Sequence, residues 1–172
     1  MNKNTKWIIE ITAVAFIITV LFSLGSQKIL KDVHIITGIT IILLFILIGV
    51  LFDIIGVAVQ SSDTTPFHAM ASKKVKNAKT AKKMLENSAK VSSFCNDVIG
   101  DICNIISGSA GVVVSNLISL KFNLNITITT LIVTSLIASL TIGGKAIGKN
   151  IAVNRSEYII TKVTKIIHVF KK

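Results

Sequence analysis

The stretch that decides the fold is Val98-Ile99-Gly100-Asp101-Ile102-Cys103-Asn104-Ile105-Ile106-Ser107-Gly108-Ser109-Ala110-Gly111-Val112-Val113-Val114-Ser115-Asn116-Leu117-Ile118-Ser119-Leu120. It is about as long as the ~20 residues a helix needs to cross a bilayer. Valine and isoleucine are abundant, yet there is no alternation of apolar and polar positions, and the run is too long for a strand. A segment that spans a membrane must satisfy its own backbone hydrogen bonds, which selects a helix. Gly100, Ser107, Gly108, Gly111 and Ser115 are small enough to let neighbouring helices approach closely.

Three further apolar runs flank it, Trp7–Leu24, Val33–Val59 and Ile126–Ile142. The chain of 172 residues is 51% apolar and carries a formal net charge of +11. A soluble domain of this size does not need so much apolar surface. The two figures are compatible because apolar and basic residues are segregated along the chain. The reading is an all-α integral membrane protein of about four transmembrane helices. The first run also has a signal-peptide reading, with Ser23-Leu24-Gly25 as the cleavage site, but its length and the internal Glu10 favour an uncleaved helix.

Lysine placement sets the orientation. The N-terminus has Lys3 and Lys6, and the first connection has Lys28 and Lys31. The second has Lys73, Lys74, Lys76, Lys79, Lys82, Lys83 and Lys90, the third only Lys121. The C-terminal segment has Lys145, Lys149, Arg155, Lys162, Lys165, Lys171 and Lys172. With alternating sides, the basic set falls together, and the positive-inside rule places both termini in the cytoplasm. The expected location is the plasma membrane.

The long connection is expected to form a cytoplasmic juxtamembrane helical hairpin over 64–95. Thr65-Pro66 is a helix-start signal, Phe67, Ala71, Ala78, Ala81 and Leu85 follow helical spacing, and Asn87-Ser88 is a break. The segment 149–172 is expected to be a basic amphipathic helix, with Ile159, Ile160, Val163, Ile166, Ile167 and Phe170 in one stripe. Both elements are expected to lie on the membrane surface, with lysines toward anionic headgroups of the lipid bilayer. Nucleic acid is not an expected partner, because aromatic stacking platforms are missing and topology already accounts for the lysines.

No catalytic constellation emerges. His34, His68 and His168 are scattered, and there is no Ser/His/Asp set, phosphate loop or metalloprotease motif, so an enzyme is not expected and neither is a cofactor. Cys95 and Cys103 are read as small buried residues. The informative residues are the intramembrane acids. Asp53 lies in the second run, and Asp97 and Asp101 open the third, with Asn104 and Ser107 continuing that face. Charges at such depth turn toward a bundle interior or a water-filled cavity. Carboxylate, amide and hydroxyl oxygens are the ligands of a hard divalent cation such as Mg²⁺. Two plainer readings stand beside this one: Asp53 or Asp101 pairs with Lys145 at similar depth, and Asp97 is an interfacial charge favoured by a helix N-terminus.

Met70-Ala71, Ala78, Met84-Leu85-Glu86-Asn87 and Val98-Ile99-Gly100-Asp101-Ile102-Cys103-Asn104-Ile105, in that order, resemble the transmembrane domain of the CorC/CorB and cyclin-M family of magnesium transport proteins. The resemblance implies a three-helix transmembrane domain over 33–172, with spans at 33–60, 97–120 and 125–143, preceded by an extra N-terminal transmembrane helix over 1–32. It implies a divalent-cation transporter of the Mg²⁺/Co²⁺ type, with a non-transporting scaffold or accessory subunit of the same fold as the alternative. A homodimer and a separate regulatory chain carrying the family's nucleotide-binding domains are the partners it suggests. The family's Ser-x-Ser-Glu run falls at Asp53-Ile54-Ile55-Gly56, and its Glu-x-x-Pro-Lys motif falls at Thr141 to Lys145, with glycine at the proline position. The metal-site residues expected on this basis are Asp53, Asp97, Asp101, Asn104, Ser107 and Thr141.

Overall fold

The computed structural model of the chain describes residues 3–30, 34–73, 75 and 77–170. The described elements run α1 (Lys3–Leu30), α2 (Ile35–Ser61), α3 (Thr65–Ser72), α4 (Ala78–Glu86), α5 (Ser88–Ser93), a π-helical segment (Phe94–Gly100), α6 (Asp101–Phe122), α7 (Ile126–Asn154) and α8 (Ser156–Phe170). Of the lysines used for orientation, Lys31, Lys74, Lys76, Lys171 and Lys172 lie outside the described residues.

Among the described residues, three helices are long and apolar enough to cross a membrane: Ile35–Ser61, the continuous rod Ser88–Phe122 and Ile126–Asn154. The middle rod is the axis of the bundle. Over its most apolar window 56% is buried, against 17% for each of the other two. Large apolar side chains such as Leu43, Leu44, Leu47, Leu131, Leu136 and Leu140 point outward, as helices surrounded by lipid require.

Ile42 and Ile46 of α2, Ala110 and Val114 of α6 and Ile137 of α7 form one core. On another face of the axis, Val98, Ile102 and Ile106 receive Ile11, Ala15 and Ile18 of α1. Gly144 and Gly148 of α7 face Val50 and Ile54 of α2, so those two helices lie close.

The turn between α6 and α7 follows local chemistry. Asn123 adopts a left-handed conformation at φ 52°, and Asn125 caps α7 by accepting from the backbone N–H of Thr127 at 2.9 Å. At the other end of the bundle, α3 and α4 form the hairpin. Pro66 sits in the first turn of α3. The reversal falls before α4, at Asn77 with φ 73°, a left-handed position that asparagine tolerates better than most residues. The break at Asn87 separates α4 from α5, after which the chain runs without interruption into the spanning rod.

Two expectations are revised. Two of the spanning helices are longer than the expected intervals 97–120 and 125–143: α5 and the π-helical segment lengthen the middle rod to Ser88–Phe122, and α7 continues to Asn154, so that the C-terminal helix expected from 149 begins at Ser156, while Ile35–Ser61 keeps close to 33–60. The apolar face of the hairpin is also covered by protein. Phe67, Ala81 and Leu85 pack with Val59 of α2 and Ile160 of α8. Burying that face between two helices removes it from water without lipid contact.

Candidate functional site

The site is built where α2, the π-helical segment, α6 and α7 meet. On α2, Gly49, Asp53 and Gly56 recur at positions i, i+4 and i+7 and therefore share one face. That face is turned to the bundle axis: a Cβ on Gly49 would stand 3.1 Å from Cβ of Cys103, and one on Gly56 would overlap the side-chain amide of Asn96. The two glycines bring α2 close enough for Asp53, between them, to be only 4% exposed.

Lys145 on α7 enters the same space. Its Nζ lies 3.7 Å from Asp53 Oδ1 and 3.9 Å from Asp101 Oδ1. Both separations exceed hydrogen-bond length, so these are ion pairs held by charge. Gly100 lies against the ammonium: a Cβ there would meet Nζ at 3.5 Å, in ordinary van der Waals contact. The two limbs differ in surroundings. The Asp53 side chain is 6% exposed and that of Asp101 62%. Attraction is strong only where water is excluded, so the Asp53 limb dominates.

The oxygens around this pair are under-satisfied. Asp53 Oδ2, Asn96 Oδ1 and Asn104 Oδ1 are buried without a hydrogen-bond partner. Asn104 Nδ2 donates to Asp101 Oδ1 at 3.5 Å, and Asn96 Nδ2 donates to Ser92 Oγ at 3.3 Å. One ammonium faces two carboxylates, a balance of one negative charge, and the amide oxygens lie one helical turn to either side of Asp53, that of Asn104 against Gly49 and that of Asn96 against Gly56. Oxygen acceptors of this kind are hard-cation ligands.

The structure brings together Asp53, Asp101, Asn104 and Lys145. It does not bring the other candidates to the same point. Asp97 is exposed and accepts from its own helix's Ser93 Oγ at 2.6 Å. Ser107 and Thr141 are buried, but each hydroxyl donates to the carbonyl one turn back, Cys103 O and Ile137 O, both at 2.8 Å. Among the described residues, no group of three or more His, Cys, Asp or Glu side chains could hold a metal ion. Cys95 and Cys103 are free and buried.

Asn96 is the residue that sequence reasoning missed. An α-helix of regular pitch carries the polar face through Asp97, Asp101 and Asn104. The π-helical segment Phe94–Gly100 holds an extra residue in its turn, which rotates the preceding positions around the axis. Asn96 then faces Gly56, and Asp97 faces outward. A pointer existed in Gly56, a glycine on the same helical face as a buried acid.

A family model described as the cyclin M transmembrane N-terminal domain matches residues 39–172. No curated protein and no solved structure matches the chain.

Proposed function

The chain belongs to the family of the cyclin M transmembrane N-terminal domain, and from that premise we propose that this multi-pass membrane protein is a transport module for divalent cations of the Mg²⁺/Co²⁺ type. The carrying observation is the ammonium of Lys145 held between two carboxylates from different helices, Asp53 and Asp101. A cationic group already resides among oxygen ligands inside a membrane bundle. A mobile cation competes for the same negative field.

On this reading Lys145 is a tethered counter-ion. It keeps Asp53 from standing as a bare buried charge between transport events, and its flexible stem lets the ammonium withdraw toward Asp101, the exposed limb. A cation that retains most of its waters then takes Asp53 Oδ2 directly and meets the amide oxygens of Asn104 and Asn96, which lie against Gly49 and Gly56 on either side of Asp53, through those waters; all three oxygens are without partners in the resting arrangement. Ser107 and Thr141 line the same helices one turn away and reach the pathway by rotating off their backbone carbonyls. Asp97 belongs to its mouth. The role assigned to the protein is non-enzymatic.

Lysine distribution supports cytoplasmic termini, with the hairpin and α8 on the cytoplasmic side, and the plasma membrane is the location proposed. The family match begins at residue 39, so α1 falls outside it as an addition to the family's domain, and its reading as an N-terminal transmembrane helix over 1–32 rests on the apolar run Trp7–Leu24. A homodimer and a separate regulatory chain are the protein partners proposed. A second reading has one specific observation in its favour: with Lys145 in place, the buried acid Asp53 is already neutralised, as in a non-transporting accessory subunit.

Mg²⁺ flux into proteoliposomes separates the two. Transport predicts flux in wild type, lost in Asp53→Asn and Asp101→Asn proteins that remain folded. Folded wild type without flux, with Asp53→Asn altering only stability, overturns the transport reading and leaves the accessory one.

A further inference from the structure

A groove of about 720 Å³ opens between α2, the hairpin and α8, away from the acid site. Its walls include Phe52 and Ile55 of α2 and Val163 and Ile166 of α8, and its rim carries Lys83 and Lys90. We propose that this groove is a binding site for one anionic phospholipid, with an acyl chain along the apolar walls and the phosphate between the two lysines.

Depth argues for lipid. Phe52 and Ile55 lie within the membrane-spanning helix Ile35–Ser61, so an occupant of the inner groove sits below the headgroup level. A peptide there would carry backbone N–H and C=O groups against the apolar side chains of Phe52, Ile55 and Val163, whereas an acyl chain has no such groups to satisfy. The groove's outer wall is apolar as well: Ile166 is 58% exposed although α8 buries Ile160 completely. The same helix therefore has one face committed to the protein and another left for a ligand.

Charge fixes the headgroup class. Lys83 and Lys90 are both exposed at the rim. Lys82 is paired with Glu86, but among the described residues Lys83 has no carboxylate partner. The ammonium of Lys90 sits 5.8 Å from the centre of the Trp7 ring. Tryptophan settles at headgroup depth, so Trp7 marks the level at which these lysines meet phosphate. Two cations with no carboxylate partner among the described residues, above an apolar slot, select a lipid with net negative charge over a zwitterionic one.

The test is a lipid titration of the full chain in mild detergent micelles, read by native mass spectrometry, with phosphatidylglycerol and phosphatidylcholine of identical acyl chains. Phosphatidylglycerol is expected to be retained preferentially. Lys83→Gln should weaken it about fivefold and Lys83→Gln with Lys90→Gln about thirtyfold, leaving phosphatidylcholine unchanged. Val163→Trp, which fills the slot without changing charge, should reduce retention of phosphatidylglycerol. Lys83 is exposed, so its single substitution keeps the test open if the tryptophan variant fails to fold. Equal retention of the two lipids, or unchanged retention in the double glutamine variant, overturns the proposal. Displacement of phosphatidylglycerol by millimolar inorganic phosphate or by an acidic peptide also overturns it, in favour of a bare anion or protein site.

Discussion

Lys145 of α7 and Asp53 of α2 face each other at 3.7 Å inside the bundle, the acid almost wholly removed from solvent. The pair joins the two spanning helices at the glycine-lined crossing of Gly144 and Gly148 against Val50 and Ile54. Removing one partner of such a pair leaves an uncompensated buried charge, which costs more than the pair itself contributes. Lys145→Met is therefore expected to destabilise the protein by about 3 kcal/mol. Asp53→Asn together with Lys145→Met should recover most of that loss, because no charge is then stranded. A double-mutant cycle by thermal unfolding in detergent checks this; additive losses would show that the two residues act independently.

The Asp101 limb behaves differently. Its carboxylate is 62% exposed, so solvent screens the attraction at 3.9 Å. Asp101→Asn is expected to change stability by less than about 1 kcal/mol. The same thermal measurement checks it, and a loss as large as that of Lys145→Met would place Asp101 in a drier setting than its exposure indicates.

Gly56 tests the packing that admits Asn96. A methyl group there overlaps the Asn96 amide. Gly56→Ala should cost about 1–3 kcal/mol as α2 and the π-helical segment separate. Asn96→Ala in the same background removes the obstruction and should restore part of the loss. Unfolding temperatures of the single and double variants decide the matter.

Asp63 governs the entry to the hairpin, outside the spanning segments. Its Oδ1 accepts from Thr65 N at 3.0 Å and from Thr65 Oγ1 at 2.9 Å. The backbone N–H of Thr65, and after it the Thr65 hydroxyl, hold this carboxyl below its ordinary value of 3.8. A depressed folded value means the contribution is present above 3.8 and is lost as pH falls through the lower folded value. Protection of the hairpin from proteolysis should follow that course in wild type. Asp63→Ala should start with less protection and lose this acid-dependent step; an unchanged step in the variant would assign it to another carboxyl.

The residues differ in how much of this they disclosed in advance. The spanning runs were legible because a bilayer imposes a length and a polarity that sequence records directly. The hairpin's start at Pro66 and its break at Asn87 were legible because they rest on local chemistry. The pairing of Lys145 with Asp53 or Asp101 was foreseeable as an alternative from equal depth along two helices. Asn96 was hidden, because its direction depends on the π-helical segment, whose extra residue breaks the 3.6-residue period on which a face is read.

By itself, then, the sequence determined which segments cross the membrane and which face water, since hydropathy and charge act residue by residue against the solvent. The tertiary structure decided which polar groups meet. Helix rotation, glycine-permitted approach and the reach of Lys145 brought Asp53 and Asp101 to one ammonium, turned Asp97 outward and left Asn96 and Asn104 with free oxygens. Those outcomes depend on distances between helices far apart in the chain, which no local interaction fixes.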